Sequence, residues 1–214
     1  MNMRPVTAAM STIRIDESFA HYWKAEVLSS RPAILPARHY VYPRQAEEVE
    51  RGALEVLVRP GAHGPSRLGT GEGHEPNLRT PSTQPFLATC ALGFRDPAVP
   101  TGLWSTPEPE KICLVSGGYA YIIDTTAPEQ FTMIPYRPVL EVRAATEAGL
   151  LLFVGSYSIL AWGRNGRAWE SEKLSDEGVK ITGIEGWVLR GSGWRIMTDK
   201  ETAFTLDLQN GKTL

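Results

Sequence analysis

The chain has 214 residues but few of the residue types that usually carry catalysis. It has two cysteines and four histidines, and His21, His39, His63 and His74 all lie in the first 74 residues. No Cys-x-x-Cys or His-Glu-x-x-His is present, so the common zinc patterns are excluded. No Gly-x-Ser-x-Gly elbow is present either, and any acyl-transfer site using a core Ser or Cys would have to borrow a histidine from the first half. Charge of one sign is also missing. The formal net charge is -2, and neither half forms a basic arm, so no nucleic acid or anionic membrane partner is expected. The longest strongly apolar run, Gly149-Leu-Leu-Leu-Phe-Val-Gly155, is far short of the roughly 20 residues that span a bilayer. Met1–Ile13 has no apolar core of a signal peptide, and the expected location is the cytoplasm.

Other features are abundant. Hydrophobic residues make up 42% of the chain, enough to build a core. Twenty glycines and sixteen prolines punctuate short apolar runs, the pattern of many strands joined by tight turns. Cys90 in Phe-Leu-Ala-Thr-Cys-Ala-Leu and Cys113 in Lys-Ile-Cys-Leu-Val read as small buried hydrophobes.

Residues 1–59 read as N-terminal strands, His39–Tyr42 and Ala53–Val58 among them, with a short helix over Ser18–Ser29 and a second possible start of helix or strand at 44–51. Residues 60–85 hold five Pro and five Gly, with only Leu68 and Leu78 as sizeable apolar residues, and read as a long flexible loop. From residue 86 to 214 the text is strands, expected to form one domain with 1–59. Hairpins are expected at Ile112–Ile123 around Ser116-Gly-Gly118, at Leu150–Trp162 around Gly155-Ser156, and at Val179–Arg190 around Glu185-Gly186. Asn165-Gly166 demands a turn, because this pair readily takes positive φ angles. The fold class is therefore mostly β, with about 12–15 strands in antiparallel hairpins, in propeller-like or sandwich sheets with little helix.

Gly155–Trp169 holds a strand, a turn with Gly166 and a Trp three residues on. Ala203–Lys212 repeats the strand, the Asn-Gly turn and a basic residue. Over 151–214 this resembles the blade repeat of quinoprotein-type (PQQ-like) β-propellers, where a strand ends in Ala-x-Asp, turns at Gly and resumes before a Trp. Here Gly163 stands in place of the Asp, and the gap from Gly to Trp is one residue short. The region 86–214 is long enough for about three blades. The whole chain also resembles a group of bacterial all-β proteins, a resemblance that supplies no activity.

Gly69-Thr-Gly-Glu-Gly73 lacks the strand, Lys and helix that a phosphate loop needs. His63, Glu72, His74 and Glu75 match no metal spacing. Glu170, Glu172, Asp176 and Glu177 surround Lys173 and read as a solvated loop rather than a paired-carboxylate site. Aromatics are the stronger signal: four of six tryptophans fall between 162 and 194. Trp162 and Trp169 read chiefly as core, while Trp194, between Gly193 and Arg195, reads as an exposed loop edge. Arg outnumbers Lys 16 to 6, and Arg164 and Arg167 sit beside Trp162 and Trp169, in position for stacking.

The expected function is a non-catalytic binding or protein-interaction module. Trp194, Arg195, Trp169 and Arg167 are its binding residues, and the partner is a second copy of the chain, another protein or a small ligand. No catalytic residue, cofactor or metal is expected. The alternative is a hydrolase-like enzyme that draws its residues from the 60–85 loop.

Overall fold

The computed structural model describes residues 13–44, 52–61 and 83–214. The body of the Gly/Pro-rich stretch, with His63, Glu72, His74 and Glu75, lies outside the described residues, as do 1–12 and 45–51. Among the described residues there are seventeen strands and no helix. The N-terminal part contributes β1 (Arg14–Asp16), β2 (Trp23–Leu28), β3 (His39–Tyr42), β4 (Ala53–Pro60) and β5 (Phe86–Ala91). The middle contributes β6 (Gly102–Ser105), β7 (Lys111–Ser116), β8 (Tyr119–Asp124) and β9 (Phe131–Met133). Then follow β10 (Glu141–Ala145), β11 (Leu150–Val154), β12 (Ile159–Gly163) and β13 (Gly166–Glu170). The last group is β14 (Val179–Glu185), β15 (Val188–Arg195), β16 (Lys200–Asp207) and β17 (Lys212–Thr213).

These strands form four sheets, ordered β2-β4-β5-β3, β1-β6-β7-β8-β9, β10-β11-β12-β13 and β14-β15-β16-β17. The sheets stack face to face in that order. In β7 and β8, Ile112, Leu114, Tyr121 and Ile123 face the first sheet and meet Trp23, Val56, Val58, Phe86 and Cys90. Cys113, Val115, Ala120 and Ile122, on the opposite face, meet Leu151, Phe153, Leu160 and Trp162 of the third sheet. Leu150, Leu152, Val154, Ile159 and Ala161 then face Val179, Ile181, Leu189 and Leu206 of the fourth.

The second and third sheets therefore bury both faces, and their inner strands β7, β8, β11 and β12 read as near-continuous apolar runs because period-2 alternation cannot spare a polar side there. The fourth sheet buries one face, so β15 alternates. Leu189, Gly191 and Gly193 are buried, while Arg190 and Trp194 point outward.

Two expectations need correction. The segment expected as a helix at Ser18–Ser29 is strand β2 instead: Trp23 and Val27 pack on the first core while Lys24 and Glu26 are exposed, a period of two. Trp194 is not on a loop edge but inside β15, paired with Glu201 of β16. The expected mostly β fold of antiparallel hairpins is present, and two further pairs are parallel, β1 with β6 and β3 with β5. These strands are far apart in sequence, so no tight turn forces their direction. The turns fall where Gly permits them: Gly117, Gly118, Gly166 and Gly186 all have positive φ. Both cysteines are free and buried, and burial holds their thiols well above the ordinary range. No described helix is long and apolar enough to cross a membrane.

Candidate functional site

The outward face of the fourth sheet carries a groove of about 400 Å³ lined by Glu177, Gly178, Lys180, Trp194 and Glu201. Trp194 is 36% exposed there, and its backbone is fixed at both ends. Its N–H donates to Ser175 Oγ at 2.9 Å, and its carbonyl accepts from the Asp176 N–H at 2.8 Å. Ser175 is fully buried, and its hydroxyl also donates to the Gly178 carbonyl at 2.7 Å. The 174–175 segment can lie this close because residue 193 is glycine; a Cβ there would sit 2.3 Å from the Leu174 carbonyl oxygen. Gly193 thus allows the clamp, the clamp fixes the strand, and the strand holds the indole in place.

Polar groups flank the indole. Glu201, its cross-strand partner, accepts from Ser192 Oγ at 2.7 Å and lies 3.6 Å from the Lys180 ammonium. The Ser192 hydroxyl bond and the Lys180 charge hold the Glu201 carboxyl below its ordinary range, so it is ionised at neutral pH. On the other side, the exposed Glu177 carboxylate has no partner among the described residues. Asp176 is held below the usual carboxylate range by its bond from Lys173, and its Oδ2 accepts the Ile196 N–H at 3.0 Å. Beyond Trp194 the hairpin tip exposes Ile196 and Met197.

The four expected binding residues do not form one site. Trp194 and Arg195 lie together at the far end of β15. Trp169 is buried in the third core, where its Nε1 donates to the Leu208 carbonyl at 2.8 Å and its ring covers Gly211. Arg167 is exposed and pairs with Glu170 at 2.5 Å. Glu170 also accepts from the Tyr136 hydroxyl at 2.9 Å, and Tyr136 meets Ser158 at 2.7 Å. Burial and Glu170 push the Tyr136 hydroxyl well above its ordinary range, so it cannot serve Ser158 as a base.

Sequence reasoning missed a second cluster, on the outward face of the first sheet. Thr89 Oγ1 donates to Glu55 at 2.5 Å and lies 2.8 Å from His39 Nε2. With the single hydroxyl proton going to Glu55, a proton on His39 Nε2 would let that nitrogen donate to Thr89. Arg31 Nη2 approaches the same ring nitrogen at 3.2 Å, and its Nε lies 3.9 Å from Glu55. Burial first, and the Arg31 cation second, lower the His39 pKa below 6.5. A Thr–His–carboxylate set suggests a nucleophile, but Thr89 is fully buried and its proton is committed to Glu55. Only the pairing of β3 with β5 brings His39 next to Thr89, and 50 residues of chain separate them, so no local motif points to the cluster.

A larger groove, about 470 Å³, lies among Arg44, Lys111, Asp124 and Phe131. Its polar groups already hold the protein together: Lys111 pairs with Glu108 at 2.7 Å, Asp124 caps the N–H groups of Thr126 and Ala127, and Arg44 bonds the Glu129 carbonyl. The Trp194 groove differs in holding an exposed indole and a carboxylate, that of Glu177, which no described residue engages. Comparison with family models, curated proteins and solved structures finds no match to this chain.

Proposed function

We propose that this chain is a non-catalytic binding module whose ligand seat is the groove beside Trp194. The observation that carries the reading is the clamped, half-exposed indole, flanked by polar groups that the fold does not need for its own core. An anchor whose backbone is already ordered loses little entropy on binding, and aromatic anchors contribute a large share of binding energy. The sealed Thr89 hydroxyl and the high thiols favour binding over acyl transfer. The stacked sheets serve as a rigid scaffold of propeller-like blades, with the seat on the exposed end of the stack.

The test is a thermal-shift panel on the full chain and on Trp194→Ala. The soluble probes are neutral glycans, a tri-arginine peptide, a tri-glutamate peptide and ATP. At least one probe should raise the melting temperature of the native chain and leave the variant unchanged. No shift with any probe, or equal shifts in both proteins, contradicts the reading.

A further inference from the structure

We infer that the Trp194 groove takes a neutral carbohydrate, a pyranose laid on the indole, an inference that rests on the binding-module reading above. The chemistry of the lining selects the ligand. A pyranose presents an apolar C–H face to an aromatic ring, while its hydroxyls project from its rim as both donors and acceptors. The groove supplies that combination. The indole is the single large apolar surface of the lining, Ser192 precedes it by two residues on β15, Glu201 lies opposite it on β16, Lys180 offers an ammonium, and Glu177 keeps a free carboxylate on the other side.

Other ligand classes fit less well. Two carboxylates against one ammonium oppose phosphate and nucleic acid. Glu201 is engaged by Lys180 and Ser192, and no group of three or more His, Cys, Asp or Glu among the described residues could hold a metal ion. A cationic side chain is the rival ligand, since Lys180 is paired with Glu201 and Glu177 is not, and the lining offers an apolar peptide no second large apolar side chain beside Trp194. The volume, about 400 Å³, falls within the range of small-ligand sites and admits a few sugar rings rather than a long chain.

The experiment is calorimetric titration of the full chain with neutral tetrasaccharides of glucose, mannose and N-acetylglucosamine, and with a tri-arginine peptide. At least one tetrasaccharide should bind. Trp194→Ala should weaken it by about tenfold or more, and Trp194→Phe should restore most of the loss, as expected of an aromatic anchor. Glu177→Gln should weaken it several-fold, whereas Tyr157→Ala, which alters an exposed aromatic outside the groove, should leave it unchanged. Circular dichroism of each variant guards against unfolding. Trp194-dependent binding of tri-arginine with no response to any sugar overturns the carbohydrate inference and leaves the binding-module reading standing. Sugar binding insensitive to Trp194→Ala overturns the inference too, as does no binding by any tetrasaccharide, while the binding-module reading falls only when tri-glutamate and ATP fail as well.

Discussion

Gly211 lies beneath the Trp169 indole, which bridges the third and fourth sheets by donating from Nε1 to the Leu208 carbonyl at 2.8 Å. The two residues come from the two similar segments of the sequence. A Cβ on Gly211 would sit 2.4 Å from Trp169 Cε3, and Gly211 has a φ of +72° that side chains disfavour.

Gly211→Ala should therefore cost about 2–4 kcal/mol, adding left-handed strain to overpacking. Trp169→Phe keeps a ring but drops the hydrogen bond and should cost about 1–3 kcal/mol. Urea denaturation measures both. A neutral Gly211→Ala would mean that the indole can move aside.

Trp162 and Trp194 should separate cleanly. Trp162 is 7% exposed in the core between the second and third sheets, so Trp162→Ala should cost about 3–5 kcal/mol. Trp194→Ala on the outward face should cost under about 1.5 kcal/mol. Melting curves of the two variants decide it, and the reverse order would place the two side chains on the wrong faces.

Ser175→Ala removes the hydroxyl that receives the Trp194 and Glu177 N–H groups and donates to Gly178. With Ser175 fully buried, the cost should be about 1–3 kcal/mol, and amide hydrogen exchange should speed up at Trp194 and Ile196 before the rest of β15. Uniform exchange across β15 would show that the clamp does not fix the strand.

His39 gives a pH signature. Its pKa lies below 6.5 in the fold, so the unfolded chain takes up a proton first as pH falls. Its contribution to stability is complete above pH 6.5 and declines as the pH drops from there toward the folded value. The urea midpoint of the native chain should fall between pH 7 and pH 5 more steeply than that of His39→Gln. Parallel slopes would remove His39 as the cause.

Much of the fold was legible in the sequence. Lys-Ile-Cys-Leu-Val followed by Gly117-Gly118 could hardly be anything but a buried hairpin, and Asn165-Gly166 turns where expected. Trp23 misled because an aromatic cluster of mixed spacing fits a helix until its partner strand β4 is known. The site was half legible. Gly191-Ser192-Gly193-Trp194 marks an unusual place, but it reads as a loop unless the glycines are seen to face inward, where Phe204 and Ser175 crowd them. Trp169 and Trp194 look alike in sequence, and only the pairing of strands buries one and exposes the other. The Glu55–Thr89–His39 cluster depends wholly on register between distant strands.

Indole N–H resonances offer the most direct measurement. Each of the six tryptophans has one such signal, and Trp194→Phe identifies the one from Trp194. On titration with a neutral tetrasaccharide that binds, the Trp194 signal should move progressively, while those of buried Trp162 and Trp169 stay in place. Movement confined to other tryptophans, or no movement at saturating probe, would contradict a ligand seat at Trp194.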